Sequence, residues 1–193
     1  IIPVKIQHRN GNEEVIGEDE EYKNINFEKV SKLRPAFGKD GTVTAANAST
    51  ISDGASSIVL MSKEKCSELN LTPIAKIIDY CDAAQDPEWF TTAPSVAVNK
   101  ILEKNTLDVK EIDFFEFNEA FSVVALANMK ILGLDDNNVN INGGAVSLGH
   151  PLGCSGARIL TTLCHILNKN KGKKGIAAIC NGGGGASAIL IET

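Results

Sequence analysis

Apolar residues are distributed differently in two parts of this chain. From about residue 72 onward, short apolar runs alternate with helix-like stretches; before that, apolar residues are scattered among charges. The segments 74–80, 113–117, 139–142, 175–180 and 186–191 have the length and the β-branched or aromatic content of strands. Between them, 92–104 reads as a helix capped by Thr92 with Pro94 in its first turn. Residues 119–132 read as a helix stopped by Gly133, and 155–167 as one apolar on most faces, hence central and buried. This alternation predicts an α/β domain over 72–193, with a mixed sheet covered by helices on both faces.

Upstream, two zones precede that domain. In 51–71, Ser57-Ile58-Val59-Leu60-Met61 reads as a buried strand and 63–69 as a short surface helix. Residues 1–50 read as charged and irregular. The acidic run Glu18-Asp19-Glu20-Glu21 is a solvated face, Asp40-Gly41 a turn, and Thr42-Val43-Thr44 a short strand.

Three junctions in the α/β part carry candidate chemistry, each at the carboxyl end of an expected strand, where α/β layers place their sites. In Gly143-Gly144-Ala145-Val146-Ser147-Leu148-Gly149-His150-Pro151-Leu152-Gly153-Cys154-Ser155-Gly156, glycines let the backbone turn sharply and Pro151 restricts it beside the histidine. The following helix start adds positive potential. Such an environment can hold an imidazole against an anion or a polarised carbonyl; a lone histidine elsewhere is more often structural. In Cys180-Asn181-Gly182-Gly183-Gly184-Gly185, glycines leave N–H groups uncovered, as an oxyanion hole requires; the alternative is an inert thiol before a flexible turn. Asn118, opening Asn118-Glu119-Ala120-Phe121, can cap the next helix or hold a water. The glycine loops lack the G-x-x-x-x-G-K-[ST] and G-x-G-x-x-G patterns of nucleotide sites.

Composition narrows the partners. A formal net charge of −5 over 193 residues disfavours nucleic acid, and no apolar run has membrane-spanning length. Five cysteines without metal-ligand spacing disfavour a disulfide framework or zinc. They suit a reducing compartment, cytoplasmic or, alternatively, mitochondrial. The first residues, Ile1-Ile2-Pro3-Val4, read as entering an element midway.

Asn118-Glu119-Ala120-Phe121, Gly149-His150-Pro151 with Gly153 and Ser155-Gly156, and Cys180-Asn181-Gly182-Gly183-Gly184 resemble, in order, the three C-terminal signatures of thiolases. The stretch 40–49 with Asp53-Gly54-Ala55 resembles the end of the thiolase loop domain. The match covers essentially the whole chain and is most similar to the acetoacetyl-CoA thiolase branch. It implies the layered α-β-α-β-α thiolase fold, with a mixed five-stranded sheet in the complete C-terminal domain. Residues 1–50 would end the loop domain, 51–71 would be the last segment of the N-terminal core domain, and 72–193 the C-terminal domain.

The resemblance also implies roles. His150 activates a nucleophilic cysteine and binds the thioester oxygen, Cys180 exchanges a proton with the acetyl methyl, Asn118 positions a water, and the Gly182 N–H serves a second oxyanion hole. Ser49 contacts the pantetheine arm, with Ala120 and Phe121 nearby, and Asn24, Ile25, Asn26 and Lys29 contact the CoA nucleotide. Carbonyls of Ala45, Ala46, Ala48 and Val146 correspond to potassium ligands. Coenzyme A or acetyl-CoA is then the substrate, no redox cofactor is needed, and the protein is a homodimer or homotetramer. None of the five cysteines matches the thiolase nucleophile, which is expected upstream, so residues 1–193 alone are expected to be inactive. A non-catalytic thiolase-like scaffold is the competing reading, which joint retention of Asn118, His150 and Cys180 disfavours. A condensing enzyme of fatty-acid or polyketide type is another, which Cys180 disfavours.

Overall fold

The computed structural model describes residues 1–193. Strands β1 (Val4–Gln7) and β2 (Glu13–Ile16) form an antiparallel hairpin, pairing Val4 with Ile16 and Gln7 with Glu13. The expectation of irregular chain over 1–50 missed it. Nearly every residue of the hairpin is exposed, so no buried face imposes the alternation that marks a strand. A turn of 3₁₀ helix at Glu21–Lys23 leads to α1 (Phe27–Val30), where Asn26 Oδ1 accepts from Glu28 N at 3.1 Å.

Two upstream strand expectations are corrected. Thr42–Thr44 is not a strand, because the Asn47 side chain closes a local turn, accepting from Thr44 N at 2.7 Å and donating to Thr42 O at 3.1 Å. Residues 57–61 also form no strand, and Val59 and Leu60 are 82% and 68% exposed. An apolar run becomes a strand only when a neighbour takes its backbone hydrogen bonds, and none pairs with this one. Helix α2 (Lys63–Glu68) follows, capped by the Ser62 hydroxyl.

The remainder is a layered α/β unit. Strands β3 (Lys76–Ala84), β4 (Phe114–Phe117), β5 (Lys174–Cys180) and β6 (Gly185–Glu192) form one mixed sheet in the order β3-β6-β5-β4, with β4 and β5 parallel and the other pairs antiparallel. Strand alternation divides its side chains. Ile176, Ala178, Ala186, Ala188 and Leu190 join Phe115 and Phe117 against α3 (Ala93–Asn105). Ala177 and Ile191 pack on the other face against Ile159, Leu163 and Leu167 of α6 (Ser155–Asn170). Helix α4 (Ser122–Leu132) lies beside α3. Its buried Asn128 accepts from Ser95 N at 2.7 Å, so a side chain from α4, rather than Thr92, caps the start of α3.

Three further details depart from expectation. The fifth strand at 139–142 reduces to a single bridge, Val139 to Phe115. Asn140 adopts φ +47°, and its side chain takes the place of a neighbouring strand, accepting from Phe117 N and donating to Phe117 O, each at 2.9 Å. Helix α6 buries one face and exposes His165 and Asn168–Asn170, because the sheet covers it from one side only. Strand β3 runs past the expected 74–80 as far as Ala84, which places Cys81 within it, its thiol donating to Ala97 O.

Candidate functional site

The carboxyl ends of β4 and β5 are neighbours, since Phe117 pairs with Ala178 and Asn118 N donates to Ala178 O at 3.0 Å. Asn118 therefore leaves β4 at the edge where β5 ends in Cys180. The segment 48–52 binds the other pieces to this edge. Ser49 N and Oγ both donate to Ala120 O (3.1 and 2.9 Å), Ser122 N donates to Asn47 O, and His150 N donates to Thr50 O at 2.8 Å. Backbone hydrogen bonds thus bring the Asn118–Phe121 and Gly149–Pro151 motifs onto one scaffold.

His150 sits between two partners. Its Nδ1 is 2.6 Å from Ser155 Oγ, and its Nε2 is 3.4 Å from Asn118 Nδ2. Ser155 Oγ donates to Pro151 O at 3.1 Å, so its lone pair receives Nδ1–H and Nε2 carries the free lone pair. Burial, and then the charge of Arg158, hold His150 below the ordinary histidine range. The imidazole is therefore neutral near pH 7 and its Nε2 can accept a proton.

Cys180 is half-buried, and burial pushes its thiol up. A thiol of raised pKa is a strong base once ionised. The turn after it is shaped by Asn181, whose Oδ1 accepts from Gly183 N and Gly185 N and whose N–H donates to Gly185 O. Gly182 N–H makes no hydrogen bond within the protein, and the space a Cβ would take at Gly182 is open. Gly184, at φ +87°, passes so close to the 85–87 segment that a Cβ would lie 2.2 Å from Gln85 O.

Sequence reasoning named Glu119 only as part of a motif and missed the contributions of Asn140, Ser155, Glu116 and Arg158. Glu119 accepts from Asn140 Nδ2 at 2.7 Å and Val146 N at 3.2 Å, tying the end of β4 to the glycine loop before His150. Gly144 makes room for it, because a Cβ there would meet the carboxyl at 2.3 Å. The spacing of Ser155 from His150 across one proline-containing turn was the available signal. The other three depend on which sheet face each residue joins.

The remaining sequence-assigned residues have these places. Ile25, Asn26 and Lys29 are exposed; Asn24 closes the 3₁₀ turn, and Asn26 is engaged as the cap of α1. That turn rests against α5 (Ala145–Leu148), which belongs to the glycine loop. Phe121 packs edge-on against Phe37 and Phe90, at centroid distances of 5.6 and 6.3 Å. The carbonyls of Ala45, Ala46, Ala48 and Val146 accept no hydrogen bond within the protein.

Fold and site together define a layered α/β protein with an imidazole, an amide, a thiol and an open glycine N–H grouped around one sheet edge. The thiolase C-terminal domain model matches residues 71–193 and the thiolase N-terminal domain model residues 1–64. The chain belongs to the thiolase family. It is 56% identical over 193 residues to the acetyl-CoA acetyltransferase of Schizosaccharomyces pombe and 57% identical over 194 residues to acetyl-CoA acetyltransferase 1 of Arabidopsis thaliana; each match covers 100% of this chain and, respectively, 49% and 47% of the relative. The crystal structure of the Bacillus anthracis acetyl-CoA acetyltransferase superposes with a TM-score of 0.91 at 46% identity, covering 100% of this chain and 49% of the other. Acat5 thiolase from Ascaris suum, in complex with coenzyme A, does so with a TM-score of 0.85 at 53% identity, covering 93% of this chain and 47% of the other. The chain spans about half the length of the curated relatives it matches.

Proposed function

We propose that this chain forms part of an acetyl-CoA acetyltransferase, which condenses two acetyl-CoA molecules to acetoacetyl-CoA and CoA or runs the reverse thiolysis. The observation that carries this reading is the Asn118–His150–Ser155 chain at the strand edge that also holds Cys180 and the free Gly182 N–H. The names and the coenzyme A complex among the similar proteins support it.

The reaction makes a carbanion beside a thioester, a step that needs a base near the methyl group and fixed donors at the developing enolate oxygen. In this reading His150 Nε2 takes the proton of a nucleophilic thiol, which then accepts the first acetyl group while Cys180 gives its proton to the departing CoA thiolate and is left ionised. Once protonated, His150 donates to a thioester oxygen beside a water held by Asn118. Cys180, ionised, removes the methyl proton of the second acetyl group and the Gly182 N–H meets the other oxygen. No cysteine of 1–193 stands in the nucleophile's motif, so that role is assigned to one outside these residues, and 1–193 alone is inactive.

Coenzyme A is assigned to Ser49, Ala120 and Phe121 for the pantetheine arm and to Asn24, Ile25, Asn26 and Lys29 for the nucleotide. The uncommitted carbonyls of Ala45, Ala46, Ala48 and Val146 fit a hard monovalent cation such as potassium, whose charge would brace the loop ahead of His150. A homodimer or homotetramer in a cytoplasmic or mitochondrial compartment completes the reading; among the similar proteins, one is named cytosolic and others mitochondrial.

The test is steady-state thiolysis of acetoacetyl-CoA by the full-length protein, with mass spectrometry for an acetyl-enzyme. His150→Ala and Cys180→Ala are expected to lower kcat by at least about a hundredfold with little change in Tm. Near-normal turnover in either variant, or sequential kinetics without an acetyl-enzyme, refutes the reading.

A further inference from the structure

Two residues before Asn118, on β4, begins a buried polar pair that the proposed chemistry leaves unused. Glu116, in β4, is fully buried. Arg158 stands one turn after Ser155 in α6 with 18% of its side chain exposed, and its NH1 is 3.7 Å from Glu116 Oε2. That separation is too long for a hydrogen bond. Both Glu116 oxygens, all three guanidinium nitrogens and Asn118 Oδ1 are buried and find no hydrogen-bond partner in the protein. Glu116 and Asn118, two residues apart along the strand direction, point to the same side of the sheet, the side that α6 covers. Native interiors satisfy nearly all such atoms, with protein or with internal water. Buried polar atoms left without a protein partner beyond hydrogen-bond reach are where an internal water is to be sought.

We propose that Glu116 and Arg158 hold an internal water that donates to Asn118 Oδ1 and so fixes the Asn118 amide with its nitrogen toward His150. The two ends of an amide are alike in shape, and only hydrogen bonds decide which faces a neighbour. With the oxygen held from behind, Nδ2 must face the imidazole, and Nε2 keeps an N–H donor opposite its lone pair. Turned the other way, two lone pairs would oppose each other, and the neutral imidazole would lose its orientation. Arg158 adds its positive charge behind the ring. The titratable and charged groups around this floor are Glu116 from β4, Glu119 just after it, Arg158 from α6 and His150. Glu116 and Arg158 are thus positioning residues that act through Asn118. The consequence for turnover rests on the acyl-transfer reading, whereas the water site rests on geometry alone.

The experiment pairs a high-resolution crystal structure of the full-length protein with the double variant Glu116→Leu/Arg158→Met. Replacing both buried polar partners together by apolar side chains of similar volume usually preserves the fold, so Tm should hold. Removing one partner alone would strand the other's buried polar atoms and is the poorer test. We expect density for a water within hydrogen-bonding distance of Arg158, Glu116 and Asn118 Oδ1. In the double variant, the His150 NMR titration midpoint should rise by roughly half a unit or more. Its kcat should fall about tenfold at unchanged KM. Absence of the water, or a double variant with unaltered His150 titration, overturns the proposal. If the parent protein shows no acyl transfer while the water is present and the titration moves, the functional reading fails and the water site stands.

Discussion

Glu116→Gln gives the sharpest check on the electrostatics beneath the site. The Glu116 carboxyl is fully buried, and burial pushes it up to about 8 against the opposing pull of Arg158. In the unfolded chain a glutamate titrates near ~4.3. Below the unfolded value both states carry the proton and the stabilising contribution is complete. Between the two values only the folded state keeps it, so stability falls as pH rises, by about 1.4 kcal/mol per unit. Above the folded value both states are ionised and the loss is complete. The interval of roughly 3.7 units corresponds to a ceiling of about 5 kcal/mol. Glutamine copies the shape of the protonated acid and cannot ionise. The unfolding free energy of the parent minus that of Glu116→Gln should therefore decline by several kcal/mol from about pH 5 to about pH 9. Urea unfolding of both proteins across this range, with slopes compared to verify a common transition, measures it. Titrating groups remote from Glu116 are shared and cancel in the difference. A pH-independent difference would refute the reasoning, because it would mean that Arg158 compensates the ionised carboxylate in full.

Other perturbations test the scaffold around the site. Gly184→Ala should lower Tm by several degrees and reduce turnover, since it needs φ +87° and sets a Cβ 2.2 Å from Gln85 O; calorimetry together with kcat decides this. Asn128→Ala removes three hydrogen bonds, to Ser95 N, Thr91 O and Val124 O, and should cost about 2–4 kcal/mol in urea unfolding. The kcat of its folded fraction should stay unchanged. Glu119→Ala frees Val146 N and Asn140 Nδ2, and should lower kcat more than it changes KM in steady-state kinetics.

The strands 113–117, 175–180 and 186–191 and the helices near 92–104, 119–132 and 155–167 were legible because each satisfies a local rule of period, cap or stop that burial then reinforces. Asn118, His150 and Cys180 were legible as candidates for a related reason. Each follows a strand and adjoins glycine or a helix start, and that pattern is written in consecutive residues. The exposed hairpin β1–β2 was not legible, because solvated strands lack an apolar face to announce them.

Sequence alone therefore determined most elements of 72–193, their α/β alternation and the three polar junctions, since these depend on neighbours along the chain. Only the tertiary structure decided which junctions meet. The 48–52 segment joins two motifs through hydrogen bonds that span about seventy residues in one case and a hundred in the other. It also decided that Asn140 replaces a strand with its own side chain, that the apolar run 57–61 finds no partner, and that Glu116 and Arg158 face each other under the site. Hydrogen-bond partners and burial are properties of the packed chain, and residues distant in sequence acquire them together only when the sheet and its helices close on one another.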